Sequence, residues 1–286
     1  MNTHGHRTRD VATQKVAEFT GEGAYHGSTR ARRSPAVAPP PPPPEMSPRS
    51  LDRHLAEGRA AVADFDARFG NLYAVRARLA VPAPEAIRDD GVTFCWCPFA
   101  VAAREAGPLT RAVLAAAAPH LVGDRRFVYV DSKIQHFERG DLPVDSRLWH
   151  VDGSIVARGE RVARLGHALV HDMAARLDPA TPSPRYLAYQ SSSHCATEFL
   201  DAPLTLRLPE LVPDFDLLDA RVREAAPTAV AQPAGTIVAF DGASLHRAVP
   251  ATAAGWRLWL RVVETDREVV LDHAILDCYD TVFRPR

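Results

Sequence analysis

The second half of the chain contains short runs in which apolar residues alternate with polar ones or form brief apolar stretches, a pattern that predicts β-strands. Turn-forming Pro, Gly and Asp residues separate these runs. Many short strands joined by turns are typical of a barrel or a jelly-roll, so the pattern predicts a mainly β fold with flanking helices. The predicted strands are Phe127 to Phe137, Trp149 to Ile155, Tyr186 to Ser191, Thr205 to Leu208, Thr236 to Phe240 and Trp256 to Val263.

The first half of the chain has the longer apolar spacing of helices. Apolar residues recur at helical spacing from Ser50 to Phe69, where Ser50 is a candidate N-cap. Phe99 to Leu121 is an Ala-rich helical stretch with a break near its Gly-Pro pair, and a short predicted strand from Val92 to Cys97 precedes it. The segment Glu160 to Leu177 has helical periodicity and is interpreted as a helix or an irregular insertion.

Residues 1–45 are polar and end in six prolines, Pro39 to Pro44. Such a segment buries too little apolar surface to fold, so we predict a disordered tail with its prolines in extended polyproline II. We interpret it as an upstream extension with Met46 as an alternative start; a docking tail for an SH3-like partner is the other interpretation. The rest is predicted to be a single domain, 46–286, with a helical part at 46–125, a β core at 126–265 and a C-terminal extension at 266–286.

Composition narrows the function classes. Hydrophobic residues make up 46% and charged residues 24% of the 286 residues, as in ordinary globular proteins. The formal net charge of −1 gives no electrostatic basis for binding nucleic acid or an anionic membrane. No apolar run suits a membrane span or a secretory signal, and the four scattered cysteines do not form a disulfide framework. We therefore expect a cytoplasmic protein with reduced thiols.

His150 and Asp152 are separated by one residue within a predicted strand. Alternate residues of a strand point to the same face, about 6.6 Å apart at Cα, so an imidazole and a carboxylate can converge on one cation. His246 follows a later predicted strand and the Asp241-Gly242 turn, and it is the candidate third ligand. Two histidines and one carboxylate leave open positions around the metal, which suits Fe(II) and O2 chemistry.

Arg257 and Arg261 lie downstream of His246 in a predicted apolar strand. Their spacing puts both on one face of that strand, together with Trp259. An arginine directed into an apolar interior is unfavourable unless an anion pairs with it. The planar guanidinium group matches a carboxylate through two parallel hydrogen bonds, so a dicarboxylate cosubstrate would satisfy it.

The order His150, Asp152, His246, Arg257 resembles the HxD…H…R motif of the oxygenases that depend on Fe(II) and 2-oxoglutarate. The resemblance covers roughly residues 125–265. It implies a double-stranded β-helix, which is a jelly-roll or cupin-like barrel. It also implies Fe(II) as the metal, 2-oxoglutarate and O2 as cosubstrates, and a small molecule as the substrate.

The resemblance further implies roles for individual residues. Arg257 would grip the distal carboxylate of 2-oxoglutarate, Thr197 would supply a neighbouring hydroxyl, and Arg261 would reach the other carboxylate or support it. The expected reaction is hydroxylation, desaturation or oxidative cyclisation at a C–H bond, with release of succinate and CO2. An acid at position 152 leaves no position for chloride, which disfavours halogenation. The Arg-over-Lys composition of a GC-rich genome suggests secondary metabolism, including tailoring of aminoglycoside or oligosaccharide antibiotics.

Several other residues could take part in binding or catalysis, and for most of them a structural role is the simpler interpretation. Cys95 and Cys97 are interpreted as buried small hydrophobes. His167 and His171 lack the glutamate of a zinc-protease motif, so they are interpreted as structural or surface residues, or as lining the substrate mouth. The candidate substrate-binding residues are Trp149 and His194.

Two other function classes stay open. One is a cupin-like, metal-dependent isomerase or hydrolase without 2-oxoglutarate, in which metal binding is indifferent to Arg257. The other is a non-catalytic β-barrel binding module, in which the pair His150 and Asp152 is inert. Neither the substrate nor the oligomeric state has a sequence signature, and we expect substrate specificity to lie in the segments 50–125, 153–185 and 209–232.

Overall fold

The computed structural model describes residues 64–144, 147–152, 164–165, 168–169, 171–180, 183–212, 215–268 and 274–276. Several sequence predictions lie outside these residues. They are the tail at 1–45, the predicted helix from Ser50 up to residue 63, residues 153–155 of a predicted strand, His167 and most of the C-terminal extension.

Strands dominate the described residues. In chain order they are β1 (Asp64–Phe69), β2 (Ala74–Arg78), β3 (Thr93–Cys95), β4 (Cys97–Pro98), β5 (Phe127–Phe137), β6 (Arg164–Leu165), β7 (Ala168–Leu169), β8 (His171–Asp172), β9 (Arg185–Gln190), β10 (Thr197–Leu200), β11 (Leu204–Pro209), β12 (Leu211–Val212), β13 (Ala229–Ala231), β14 (Thr236–Asp241), β15 (His246–Ala248), β16 (Gly255–Thr265) and β17 (Ala274–Leu276). The helices are α1 (Pro84–Arg88), α2 (Phe99–Glu105), α3 (Pro108–Ala117), α4 (Met173–Leu177) and α5 (Phe215–Ala225), with a 3-10 turn at Ala118–His120.

A six-stranded antiparallel sheet forms the larger layer, in the order β2-β14-β9-β16-β5-β4. Its centre is the pairing of β5 with β16, which runs without interruption from Phe127 opposite Thr265 to Phe137 opposite Gly255. The pattern of apolar residues predicts both of these strands, as well as β9, β11 and β14, and the structure confirms them.

One face of the larger sheet packs against helices. Ile134 of β5, Leu260 of β16 and Ile237 of β14 join Val113 of α3 in one buried cluster. The predicted break in the Ala-rich stretch from Phe99 to Leu121 is confirmed, because α2 ends before the Gly-Pro pair and α3 begins at the proline. None of the helices in the described ranges combines the length and the hydropathy that crossing a bilayer demands.

A three-stranded antiparallel sheet, β13-β10-β15, faces the other side of the larger sheet. Phe199 of β10 contacts Phe240 of β14 at 5.1 Å between ring centroids, and both belong to a buried cluster with Tyr186 and Val238. The fold is therefore mainly β, with antiparallel sheets and flanking helices. Within the described ranges the larger sheet is open, with β2 and β4 at its edges, and it does not close into the predicted barrel.

One helix prediction is wrong where the structure describes it. Asp64–Phe69, the end of the helix predicted from Ser50 to Phe69, is strand β1 and pairs with β11. Its charged and apolar residues alternate, so the pairing buries Ala67 and Phe69 on one face and leaves the charges exposed. The described part of Glu160 to Leu177 consists of the short strands β6, β7 and β8 followed by the short helix α4.

Two further elements differ from the sequence prediction. Helix α5 lies in the segment 209–232, for which no helix is predicted, although Leu218 and Val222 are four residues apart and both buried in it. The described part of the strand predicted from Trp149 to Ile155 is a single β-bridge between His150 and His246.

Asn71 connects the loop before β2 to the residue that precedes His246. Its Oδ1 accepts a hydrogen bond from the N–H of Leu245 at 2.9 Å, and its Nδ2 donates to the carbonyl of Ala202 at 2.7 Å. The backbone of Asn71 has a φ of 49°, a left-handed conformation that Asn adopts more readily than most residues. The side chain of Asn71 therefore fixes the backbone immediately before His246, the second histidine of the candidate site.

We expect Asn71→Ala to lower the free energy of unfolding by about 2 kcal/mol, because the buried N–H of Leu245 loses its acceptor. Urea unfolding followed by circular dichroism measures the change. Val81→Ala is the control, since the side chain of Val81 is 60% exposed, and it should change the free energy by less than about 0.5 kcal/mol. Equal effects of the two substitutions would contradict this role of Asn71.

Candidate metal centre

The backbone brings the two candidate histidine ligands side by side. The N–H of His150 donates to the carbonyl of His246 at 3.0 Å, and the N–H of His246 donates to the carbonyl of His150 at 3.0 Å. Residues that exchange both hydrogen bonds of an antiparallel bridge project their side chains to the same face. The two imidazole rings accordingly lie 4.4 Å apart at their centroids.

Both histidines are oriented in the same way by their own local backbone. Nδ1 of His150 lies 2.8 Å from the carbonyl of Leu148, and Nδ1 of His246 lies 3.0 Å from the carbonyl of Ser244. A carbonyl can only accept, so each Nδ1 carries the proton and donates it. Each Nε2 then keeps its lone pair for a metal, which is the usual arrangement of metal-binding histidines.

Asp152 completes the cluster. Its Oδ2 lies 3.6 Å from Nε2 of His246, and one ligand atom from each of Asp152, His150 and His246 lies within 4.8 Å of the others. Three such donors can occupy one face of an octahedral ion and leave the opposite face open. The donor set and its geometry therefore fit a divalent transition metal.

The electrostatics of the cluster favour the protonation states that metal binding requires. Burial opposes ionisation of Asp152, but the positive charge of Arg261, followed by the two histidines, outweighs it and holds the pKa of Asp152 well below its usual value. Burial, together with the nearby His150, lowers the pKa of His246 to about 4. At neutral pH the cluster therefore offers a carboxylate and a neutral imidazole, the forms in which these side chains bind metals.

Aromatic rings and helix α5 hold the ligands in position. The ring of Phe215, in α5, lies 5.6 Å from the ring of His150. Asp219 of the same helix accepts the N–H of Trp149 at 3.0 Å, which ties the helix to the residue before His150. The ring of His246 stacks on Phe199 at 5.6 Å. The segment that contains α5 therefore helps to build the site, although the sequence analysis treats it only as a specificity segment.

Arg261 is engaged by two acids. Its Nη1 donates to Oδ2 of Asp152 at 2.5 Å, and its Nη2 donates to Oδ2 of Asp131 at 2.8 Å. Burial alone would lower the pKa of Arg261, but the two carboxylates outweigh it and raise the pKa above its ordinary value. Both terminal nitrogens of Arg261 therefore already face carboxylates of the protein.

Arg257 lies in different surroundings. It is 2% exposed, and its Nη2 donates to Oγ1 of Thr197 at 3.3 Å. Its Nε has no hydrogen-bond partner within the part of the chain that the structure describes, and no carboxylate there forms an ion pair with it. Burial accordingly lowers the pKa of Arg257. The site thus contains a buried cation that has no acid partner among the described residues.

A cavity of about 480 Å³ contains both the His–Asp–His cluster and Arg257. Its β5–β16 wall carries polar side chains at alternate positions, and these form three cross-strand pairs. The polar face of β5 is not among the sites predicted from the sequence, although polar residues at alternate positions of that strand are the signal for it. The pairs are Asp131 with Arg261, Lys133 with Trp259, and Gln135 with Arg257.

The two candidate substrate-binding residues do not line this cavity. Trp149 is 4% exposed and belongs to a separate buried cluster, where the guanidinium of Arg247 lies 4.5 Å from its ring centroid. His194 packs edge-on against Phe137 at 6.1 Å and lies close to Gly255. The structure therefore assigns Trp149 to packing and does not bring His194 to the cavity.

The predictions for the remaining residues are confirmed in some cases and wrong in others. Cys97 is buried, as predicted, but the prediction for Cys95 is wrong because Cys95 is exposed and lines the cavity. Asp241 serves the predicted turn, since its side chain accepts hydrogen bonds from the backbone of Ala243 and the hydroxyl of Ser244. The side chain of His171, like the whole of His167, lies outside the described parts of the chain.

Comparisons with known proteins give no family for this chain. No family model matches it, and no curated protein matches it. Among solved structures, the crystal structure of AviO1 from Streptomyces viridochromogenes Tue57 is similar over 77% of this chain and 98% of that chain, at 17% identity and a TM-score of 0.33. A likeness at this level supports no conclusion about fold or activity, so the function is inferred from the site itself.

We expect His246→Ala and Asp152→Asn to weaken the binding of Co(II) or Mn(II) by more than about 100-fold, because loss of an outer partner of a metal ligand alone weakens binding 10–100-fold. Anaerobic calorimetry with the full chain measures the affinity. His194→Ala is the matched control, as it removes an imidazole that does not line the cavity. Unchanged affinity in the two ligand variants would exclude this cluster as a metal site.

Proposed function

We propose that this protein is an Fe(II)- and 2-oxoglutarate-dependent oxygenase that oxidises a C–H bond of a small molecule. The metal ligands are His150, Asp152 and His246, and Arg257 with Thr197 binds the distal carboxylate of 2-oxoglutarate. One observation carries the proposal: a buried arginine with no acid partner among the described residues shares a cavity with a cluster of two histidines and one carboxylate.

The surroundings of Arg257 favour a dicarboxylate. A buried cation without a counter-ion is strongly unfavourable, and the guanidinium group can receive a carboxylate through two hydrogen bonds. Thr197, which contacts Arg257, lies two residues before Phe199, and Phe199 pairs directly with the metal ligand His246. Two strand residues span about 6.6 Å, so a short dicarboxylate can contact the metal at one end and Arg257 at the other.

The donor set favours Fe(II) among the divalent metals that this oxygen chemistry uses. Two imidazoles and one carboxylate on one face of the ion are characteristic of non-haem iron oxygenases. When bound, Fe(II) together with 2-oxoglutarate and O2 supplies the oxidation of the substrate C–H bond, with succinate and CO2 as co-products. Asp152 is a ligand in its own right and leaves no position for a halide, which supports hydroxylation, desaturation or cyclisation over halogenation.

The protein's own residues contribute orientation and charge. The carbonyls of Leu148 and Ser244 fix the two imidazoles with Nε2 free for the metal. Arg261 holds the carboxylate of Asp152, and Arg257 fixes the direction in which the cosubstrate lies. Because Arg257 is almost completely buried, the carboxylate that pairs with it is shielded from water. This strengthens the interaction and preorganises the site.

The cavity and the sheets support the rest of the proposal. A volume of about 480 Å³ lies within the range of pockets that bind small molecules. We propose that the two facing antiparallel sheets are the halves of a double-stranded β-helix, with the smaller sheet contributing His246 and Thr197. The inferred role in secondary metabolism, including antibiotic tailoring, rests on the Arg-rich composition and on this reaction class.

Arg257 distinguishes this proposal from the two other function classes. We expect Arg257→Gln to weaken 2-oxoglutarate binding on the order of 100-fold, since removing one partner of a buried charge pair costs about 2–5 kcal/mol. Metal affinity should stay within about threefold of the original protein, because the ligand cluster is intact. The anaerobic visible absorption band of Fe(II) with 2-oxoglutarate gives the cosubstrate affinity, and calorimetry gives the metal affinity.

The matched control is Arg185→Gln, in the same sheet, because Arg185 pairs with the exposed Asp124 and does not line the cavity. It should leave the absorption band and the formation of succinate from 2-oxoglutarate unchanged. Metal binding without any 2-oxoglutarate-dependent band would favour a cupin-like isomerase or hydrolase. The absence of metal binding in the unmodified protein would favour a non-catalytic binding module.

A further inference from the structure

A continuous series of short contacts leads from the candidate metal ligand Asp152 to the wall of the cavity. Arg261 donates to Asp152 at 2.5 Å and to Asp131 at 2.8 Å. The other oxygen of Asp131, Oδ1, accepts the backbone N–H of Trp96 at 2.7 Å. The three charged side chains are largely buried, between 13% and 18% exposed, so their interactions are only weakly screened by solvent.

This arrangement offsets the positive charge of Arg261, which lies directly beside the candidate metal ligand Asp152. A guanidinium group in direct contact with a metal-binding carboxylate would cancel the charge of that carboxylate and repel the incoming cation. Arg261 and Asp152 together carry no net charge. With Asp131 included, the three side chains carry one net negative charge. Asp131 thus restores the charge that Asp152 needs when it is held by Arg261.

Aromatic rings also lie around the guanidinium group of Arg261 and offer it no counter-charge. The guanidinium group of Arg261 lies 5.5 Å from the ring centroid of Trp96, 5.2 Å from that of Tyr186 and 5.5 Å from that of Trp259. These rings stabilise the cation and restrict its movement, but they carry no negative charge. In the described part of the chain, Asp131 is the second carboxylate that forms an ion pair with Arg261, after Asp152.

We propose that Asp131 is a positioning residue of the metal centre: it balances the charge of Arg261, so that Arg261 orients Asp152 without weakening the binding of the metal. The proposal rests on the function proposed above. It goes beyond that function because it assigns a role to a residue that is neither one of the proposed metal ligands nor one of the proposed cosubstrate-binding residues.

A purely structural role for Asp131 is the competing explanation, and two variants separate the two roles. Asp131→Asn keeps an oxygen that can accept the N–H of Trp96, so it removes the charge and preserves the shape. The double variant Asp131→Asn with Arg261→Gln removes both charges. If charge balance matters, the double variant should recover affinity that the single variant has lost. If the contacts are only structural, the second substitution should lower the metal affinity further.

The experiment measures the affinity of the full chain for Co(II) by anaerobic calorimetry, without 2-oxoglutarate, together with the visible spectrum of the Co(II) form. We expect Asp131→Asn to weaken binding about 10-fold or more, as loss of an outer partner of a metal ligand does. The double variant should bind more tightly than Asp131→Asn. Asp124→Asn is the matched control, because Asp124 pairs with Arg185 in the same sheet, away from the cavity.

Arg261→Gln supplies a second comparison, in which Asp131 is intact. It leaves Asp131 and Asp152 without the cation that pairs with both of them, so it should bind Co(II) at least as tightly as the double variant. The proposal is overturned if Asp131→Asn binds within threefold of the original protein, or if the double variant binds more weakly than Asp131→Asn. It is also overturned if Arg261→Gln binds more weakly than the double variant. If the original protein binds no Co(II), the proposed function fails together with this inference.

Discussion

The continuous antiparallel pairing of β5 with β16 decides which side chains reach the cavity. Side chains alternate along each strand, so one half of them packs against the helices and the other half faces the smaller sheet. A slip of one residue in this register would turn the arginines toward the helices and the leucines toward the cavity. The burial of Ile134, Leu258 and Leu260 in the helix-covered cluster therefore stabilises the register that holds the charged residues in the cavity.

That register brings two arginines of one strand into unlike surroundings. Opposite Arg261 lies Asp131, and the nearby Asp152 supplies a second carboxylate. The residue opposite Arg257 is the neutral Gln135, and Arg257 donates its hydrogen bond to Thr197. Desolvation opposes the burial of both cations, but among the residues that the structure describes, carboxylates compensate it for Arg261 and not for Arg257. The imbalance at Arg257 is the physical reason to infer an anionic cosubstrate.

The candidate metal centre depends on parts of the chain that are distant in sequence. The bridge between His150 and His246 joins residues that are almost one hundred positions apart, and the local carbonyls before each histidine then set its orientation. Helix α5 steadies the first histidine through Phe215 and Asp219. Local geometry therefore orients each histidine, while the bridge between two distant segments of the chain brings the histidines together.

The alternating strands β5 and β16, the broken Ala-rich helix and the residue types of the candidate metal cluster could be predicted from the sequence, because each of these is a local pattern. The strand at Asp64–Phe69 could not be predicted in this way, since the choice between helix and strand there depends on the partner β11, which is distant in sequence. The sequence also could not show which arginine has no acid partner among the described residues. Arg257 and Arg261 have the same chemistry and the same face, and they differ only through neighbours such as Asp131, which the pairing of distant strands supplies.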